Sequence, residues 1–95
     1  MTNFTFSDPN FESRVRKNFT HQAMLTTLGG EMGLVRAGEV HLLAPFDARF
    51  SQQDGFLHAG FIATLMDSAC GYAAFSLMPA DARVLSVEFK VNLLS

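Results

Sequence analysis

The chain has 95 residues, a formal charge of −2 and a composition that is 48% apolar, with ten phenylalanines. This length fits one domain over residues 1–95 with a modest core, and the apolar content is typical of a folded chain. Nucleic-acid binding depends on clustered Lys and Arg, so the slightly acidic balance argues against a nucleic-acid partner.

Cysteine content and the N-terminal residues bear on location. Cys70 is the only cysteine, so no intramolecular disulfide can form and there are too few thiolates for a structural zinc site. Residues 1–9 have neither a basic start nor an apolar core, and they predict no signal peptide. We therefore expect a cytoplasmic protein.

The first segment is predicted to be helical. Asp8 and Pro9 suit the N-cap and the first helical position. Apolar residues then recur at helical spacing at Phe11, Val15 and Phe19. Gly29-Gly30 ends the pattern, which predicts one helix or a helix broken midway.

In residues 31–45 the spacing of the apolar residues changes to a period of two. The apolar residues on one face are Val40, Leu42 and Ala44, and Ala37-Gly38 offers a turn. Alternation with a central turn predicts a β-hairpin.

A polar loop is predicted over residues 46–57. It ends in Asp54-Gly55, a common turn pair, and it presents Gln52 and Gln53. Loops of this kind often carry functional residues.

The stretch from Ala59 to about Met78 is almost continuously apolar and lacks proline until Pro79. It predicts a helix buried on most sides. Its apolar run approaches membrane-spanning length, but His58, Asp67 and many small residues favour a buried helix over a membrane span.

Beyond Asp81 apolar and polar residues alternate, which predicts a long half-buried strand. The chain then ends at Ser95 without a further strand to pair with this one. Natural domains avoid an uncovered strand edge, so we expect that the last strands of the domain are missing.

The start of the long helix is a candidate anion site. A polar loop enters it through His58-Ala59-Gly60. Unpaired backbone N–H groups and the helix dipole at such a position can hold a negatively charged oxygen. The Ala59 amide suits the role of an oxyanion-hole donor.

Asp67 is the candidate catalytic carboxylate. Its apolar neighbours predict a buried position, and a buried carboxylate is unfavourable unless it has a partner or a function. It lies eight residues beyond Ala59, which is roughly 12 Å along a helix. One helix therefore cannot bring both groups to one carbonyl, whereas an antiparallel second copy could. Small residues that would admit such a copy are Gly60, Ala63, Asp67, Gly71 and Ala74. The pattern predicts an active site built from two chains.

The run Gln52 to Ala74 resembles the signature of hotdog-fold acyl-CoA thioesterases of the phenylacetic-acid-degradation (4-hydroxybenzoyl-CoA thioesterase-like) type. The matching motifs are His58-Ala59-Gly60 and Thr64-Leu65-Met66-Asp67. The resemblance implies an α+β hotdog fold, in which an antiparallel sheet wraps around the long central helix. It also implies a homodimer or homotetramer that hydrolyses acyl-CoA to free acid and CoA without a metal or redox cofactor.

The resemblance assigns roles to individual residues. Asp67 would be the nucleophile or general base, the Ala59 amide would polarise the thioester carbonyl, and Gln52 would contact that carbonyl or the water. Ser86 would help to position the water. His58 and Gly60 would form the substrate site. Ala59 departs from the family, in which glycine is common at this position, but a backbone N–H donor survives that change.

Other interpretations compete with this one. A non-catalytic acyl-CoA-binding module has the same fold, a hotdog hydratase would need a His and a carboxylate poised together, and the chain could be a truncated, inactive product. Ser68 is not in a Gly-x-Ser-x-Gly elbow, and Cys70 is twelve residues of helix from His58, so serine and thiol nucleophiles are disfavoured. The sequence leaves both aromatic and medium-chain acyl groups open.

Overall fold

The computed structural model describes residues 7–84. In chain order the elements are α1 (Phe11–Phe19), α2 (Ala23–Thr27), β1 (Glu31–Arg36), β2 (Glu39–Leu43), a short 3₁₀ helix (Ala48–Phe50) and α3 (Ala59–Phe75). The predicted strand after residue 84, including Ser86, lies outside the described residues.

The first helical segment is broken, and it starts later than predicted. α1 begins at Phe11 with Asn10 as its N-cap, so the prediction of Asp8 and Pro9 for these positions is wrong by two residues. The Asp8 carboxylate accepts from the Asn10 N–H at 2.9 Å, and the Asp8 carbonyl accepts from the Phe11 N–H at 3.1 Å. Asp8 thus closes a turn before the helix.

The predicted hairpin is confirmed. β1 and β2 pair antiparallel, with an irregularity between Met32 and Val35. Gly38 has a φ of +78°, a left-handed conformation that glycine adopts without steric cost. The turn therefore falls where Ala37-Gly38 indicated.

The core forms where the helices cover the hairpin. α3 packs against β2, and α1 packs against β1. The buried residues that touch one another are Val15, Leu25, Val35, Val40, Tyr72 and Phe75. The helices and both strands of the hairpin contribute apolar side chains to this cluster. Packed layers around one core are the usual arrangement of a domain.

α3 ends at Phe75, three residues before the predicted end at Met78. Arg14 donates from its guanidinium to the carbonyls of Phe75 (2.6 Å), Met78 (3.0 Å) and Pro79, and it lies 4.4 Å over the Phe75 ring. A cation at a helix C-terminus satisfies carbonyls that lack intrahelical donors and complements the helix dipole. Arg14 therefore holds α1 to the end of α3.

One side of α3 is exposed, which corrects the expectation that the helix is buried on most sides. Ile62 is 39% and Met66 45% exposed, and Cys70 is also exposed. By helical periodicity, Ala59, Met66 and Cys70 lie within about 40° of one another on this side. No helix among residues 7–84 is long and apolar enough to cross a membrane.

Candidate functional site at the two clefts of α3

His58 caps the start of α3. Its ring Nδ1 accepts from the Gly60 N–H at 3.0 Å, and its carbonyl accepts from the Phe61 N–H at 3.0 Å. Its own N–H donates to the Phe50 carbonyl at 2.8 Å. An Nδ1 that accepts a hydrogen bond places the proton of the neutral ring on Nε2. His58 thus fixes both the helix start and the loop before it.

The Ala59 amide is the open donor at this helix start. Within residues 7–84 the Gly60 and Phe61 amides have acceptors, whereas no acceptor is bonded to the Ala59 N–H. Ala59 is also exposed. The structure therefore leaves the backbone donor that the sequence singled out accessible to an incoming oxygen.

Gly60 is suited to this cap by its size. A Cβ on Gly60 would stand 3.2 Å from the His58 Nδ1, which is a tight contact. The missing side chain lets the imidazole close over the Gly60 N–H. Gly60 therefore shapes the site through His58.

Gln52 holds the loop that precedes α3. Its N–H donates to the Phe56 carbonyl at 2.7 Å, and its carbonyl accepts from the Gly55 N–H at 3.0 Å. Its side-chain Oε1 accepts from the Asp54 N–H, and Gly55 turns the chain with a φ of +87°. The side-chain oxygen is thus engaged in the turn, and a contact of Gln52 with substrate or water stays a prediction.

A cleft of about 620 Å³ opens beside the cap; we call it the cap cleft. Its lining is mostly apolar, from Met24, Leu28, Phe50 and Phe61, with His58, Gly60 and Arg49 among the other members. Arg49 is bonded to Asp47 at 2.7 Å, and this hydrogen-bonded ion pair lowers the pKa of the Asp47 carboxyl. The charge of Arg49 therefore already has a partner.

Asp67 lies in a different cleft, of about 330 Å³, which we call the Asp67 cleft. The side chain is half-buried, so the expectation of a buried carboxylate is corrected to partial burial. The other residues of this cleft are Asn18, Gln22, Ser68, Gly71, Tyr72, Phe75, Arg83 and Val84. Its lining is about equally polar and apolar, in contrast to the mostly apolar cap cleft.

Tyr72 supplies a polar group that the sequence did not reveal. Its hydroxyl donates to the Asn18 Oδ1 at 2.8 Å, and burial raises the pKa of the Tyr72 phenol. The two residues are 54 positions apart, and no local pattern joins them. Only the packing of α1 against α3 brings them together.

The predicted site residues thus fall into two groups within the chain. His58 and Gly60 line the cap cleft, with Ala59 exposed between them at the start of α3, and Asp67 lines the other cleft. Residues 59 and 67 are separated by roughly 12 Å along the helix axis. Within residues 7–84 no cluster of His, Cys, Asp and Glu side chains could hold a metal ion.

Comparison with known proteins shows what this α+β arrangement is similar to. Residues 54–95 match the model of the thioesterase superfamily. The crystal structure of a thioesterase family protein from Silicibacter pomeroyi is similar at a TM-score of 0.87 and 50% sequence identity. The similarity covers 90% of this chain and 62% of that protein, so the chain spans less than two thirds of its length. No curated protein matches the chain.

These similarities establish the fold. The chain has an α+β hotdog-type fold, and within the described residues the antiparallel sheet consists of β1 and β2 beside the long helix α3. The family match begins at Asp54 and so includes the cap, the Ala59 amide and Asp67.

Proposed function

We propose that the chain hydrolyses acyl-CoA thioesters to a free carboxylic acid and CoA, at a site formed by two copies of the chain. The observation that carries the proposal is the open Ala59 N–H at the start of α3. The neighbouring Gly60 N–H is not open, because it donates to the His58 ring. A thioester carbonyl gains negative charge in the transition state, and a preset donor at that oxygen stabilises it. The match to the thioesterase superfamily supports the same chemistry.

Asp67 provides the carboxylate of the reaction. It attacks the carbonyl carbon, or it activates a water that does so; both routes need the carboxylate close to the carbon held at Ala59. Within one chain the two groups are roughly 12 Å apart along α3, and Asp67 lines a different cleft from His58 and Gly60, the neighbours of Ala59. The partner copy must therefore supply Asp67 to the Ala59 amide of the first copy.

The second copy binds on the exposed side of α3, which lies about 100° around the helix from the small residues that the sequence indicated for this contact. Ile62 and Met66 are apolar and exposed beside Ala59 and Cys70. An antiparallel helix packed on this side would bury these residues and give two identical sites related by a two-fold axis. The assembly is a dimer or a dimer of dimers in the cytoplasm.

Replacement of Asp67 tests the chemistry. Asp67→Asn should lower thiol release from a panel of aromatic and aliphatic acyl-CoAs by at least about 1,000-fold, because a carboxylate that acts on the carbonyl is lost. Asp81→Asn, the same chemical change at an exposed turn residue, is the matched control and should retain activity. Full activity of Asp67→Asn would refute the assignment. Binding of the CoA esters without any thiol release by the folded wild-type chain would favour a non-catalytic binding module.

Mixing two inactive variants tests the two-chain site. Ala59→Pro replaces the amide hydrogen with a ring carbon and so removes the donor, and the extended His58 backbone (ψ 139°) accepts a following proline. After re-association with Asp67→Asn chains, half of the dimers are hybrids with one intact site, so about a quarter of the activity should return. A site contained in one chain would show no recovery.

A further inference from the structure

The Asp67 cleft has a polar wall that the proposed chemistry leaves unused. Tyr72 is only 5% exposed, its hydroxyl donates to the Asn18 Oδ1, and Gln22 lines the same cleft. A phenylalanine would fill the same space in the core. The hydroxyl and the two amides therefore add hydrogen-bonding capacity to the cleft, and we call these three residues the polar wall.

Helix geometry places this wall across the cleft from Asp67. Residues 67 and 72 are roughly 140° apart around α3 and about 7.5 Å apart along it. Ser68 and Gly71 lie between them and also line the cleft. A group attached to a carbonyl beside Asp67 would therefore cross two small residues before it reached the Tyr72 hydroxyl.

The polar wall can both donate and accept. After its bond to Asn18, the Tyr72 oxygen keeps two lone pairs, and the Asn18 amide has two N–H groups of its own. A hydrocarbon group pressed against these atoms would remove their water without replacing it, which is unfavourable. A ligand with a polar atom at that point would satisfy them.

We propose that Tyr72, held by Asn18, is a specificity-determining residue that selects acyl groups with a hydrogen-bonding atom at the end remote from the thioester. The proposal rests on the proposed thioester hydrolysis at Asp67. Gly71 gives the acyl group its passage. A Cβ there would stand 3.9 Å from the Val84 Cγ1, an ordinary contact, so an alanine fits the fold while it narrows the cleft.

The test compares two esters that differ by one hydroxyl, hexanoyl-CoA and 6-hydroxyhexanoyl-CoA. Wild type should prefer the hydroxylated ester in kcat/KM by about 5- to 100-fold, since a site built for hydrogen bonding rejects an analogue that lacks the group. Tyr72→Phe should bring the ratio of the two kcat/KM values close to unity. Ser13→Ala, an exposed change on α1, should keep the wild-type ratio.

A second variant tests the path to the wall. Gly71→Ala should lower kcat/KM for both six-carbon esters relative to acetyl-CoA, whose acyl group does not reach the wall. An unchanged ratio of six-carbon to two-carbon ester would place the acyl group elsewhere and overturn the proposal.

The remaining outcomes separate this proposal from the proposed function. Equal kcat/KM values for the two six-carbon esters in wild type, or an equal loss for both in Tyr72→Phe, would overturn the role of Tyr72 while hydrolysis itself stands. If neither ester is hydrolysed, the proposed function fails, and the preference is measured instead as the ratio of the two Kd values on the wild-type chain. Equal Kd values there would overturn the role of Tyr72 as well.

Discussion

The two ends of α3 differ in how their backbone hydrogen-bonding groups are paired. At the C-terminal end Arg14 donates to the carbonyls around Phe75, and Ser76 is fully buried. At the N-terminal end His58 and Ala59 are exposed, and the Ala59 N–H has no acceptor among the described residues. Every helix leaves backbone groups unpaired at both ends. This fold pairs those groups where the helix is anchored and leaves one open where the proposed chemistry needs a donor.

Among changes at the two ends of α3, the largest expected effect is at the N-terminal end. Ala59→Pro should lower kcat for thioester hydrolysis by about 100- to 1,000-fold, the usual effect of losing one oxyanion donor. The free energy of unfolding in urea should change by less than about 0.5 kcal/mol, because proline is well tolerated at the first helical position. Ala59→Gly, which keeps the N–H, is the control and should retain activity. Loss of activity together with stability would show that the amide has a structural role instead.

The next prediction concerns the C-terminal end of α3, where Arg14 binds the carbonyls. Arg14→Met should lower the free energy of unfolding by about 2–4 kcal/mol, because partly buried carbonyls lose a charged donor. Arg14→Lys should recover only part of this, since an ammonium cannot span the same set of carbonyls. Urea unfolding at equal chain concentration measures both variants. A change below about 0.5 kcal/mol in Arg14→Met would show that the contact does not stabilise the fold.

The smallest effect concerns the link between α3 and the hairpin. Ser76 Oγ accepts from the Gly38 N–H at 2.8 Å and donates to the Ala73 carbonyl at 2.6 Å. Ser76→Ala leaves the turn N–H without its acceptor and should cost about 1–2 kcal/mol in urea unfolding. Ser13→Ala, at an exposed position, should cost almost nothing. Equal effects of the two changes would contradict the role of Ser76.

Local pattern was enough for several parts of the molecule. Alternation around Ala37-Gly38 predicted the hairpin, and the polar-to-apolar change at His58 predicted where α3 begins. Both signals depend on residues close in sequence, where backbone preference and period act directly. The end of α3 was predicted too late because Leu77 and Met78 are as apolar as the helix before them. Apolar periodicity also carries no information about a side chain distant in sequence, such as Arg14, that binds the carbonyls at the helix end.

The predicted site was only partly visible in the sequence for the same reason. The Ala59 amide followed from its place at a helix start, and the structure leaves it open. The burial of Asp67 was overestimated, because apolar neighbours on a helix also point to other sides of it. The polar wall was missed entirely, since Asn18 and Tyr72 meet only through the packing of two helices.

The sequence by itself determined the elements near His58 and the turn at Gly38, since hydrophobic period and turn chemistry act over a few residues. Tertiary structure alone decided that Arg14 binds the carbonyls at the end of α3, that Tyr72 meets Asn18 and that His58 and Asp67 line separate clefts. Those outcomes depend on which surfaces pack together. Packing joins residues by shape and burial, and these are properties of the whole folded chain rather than of any stretch of it.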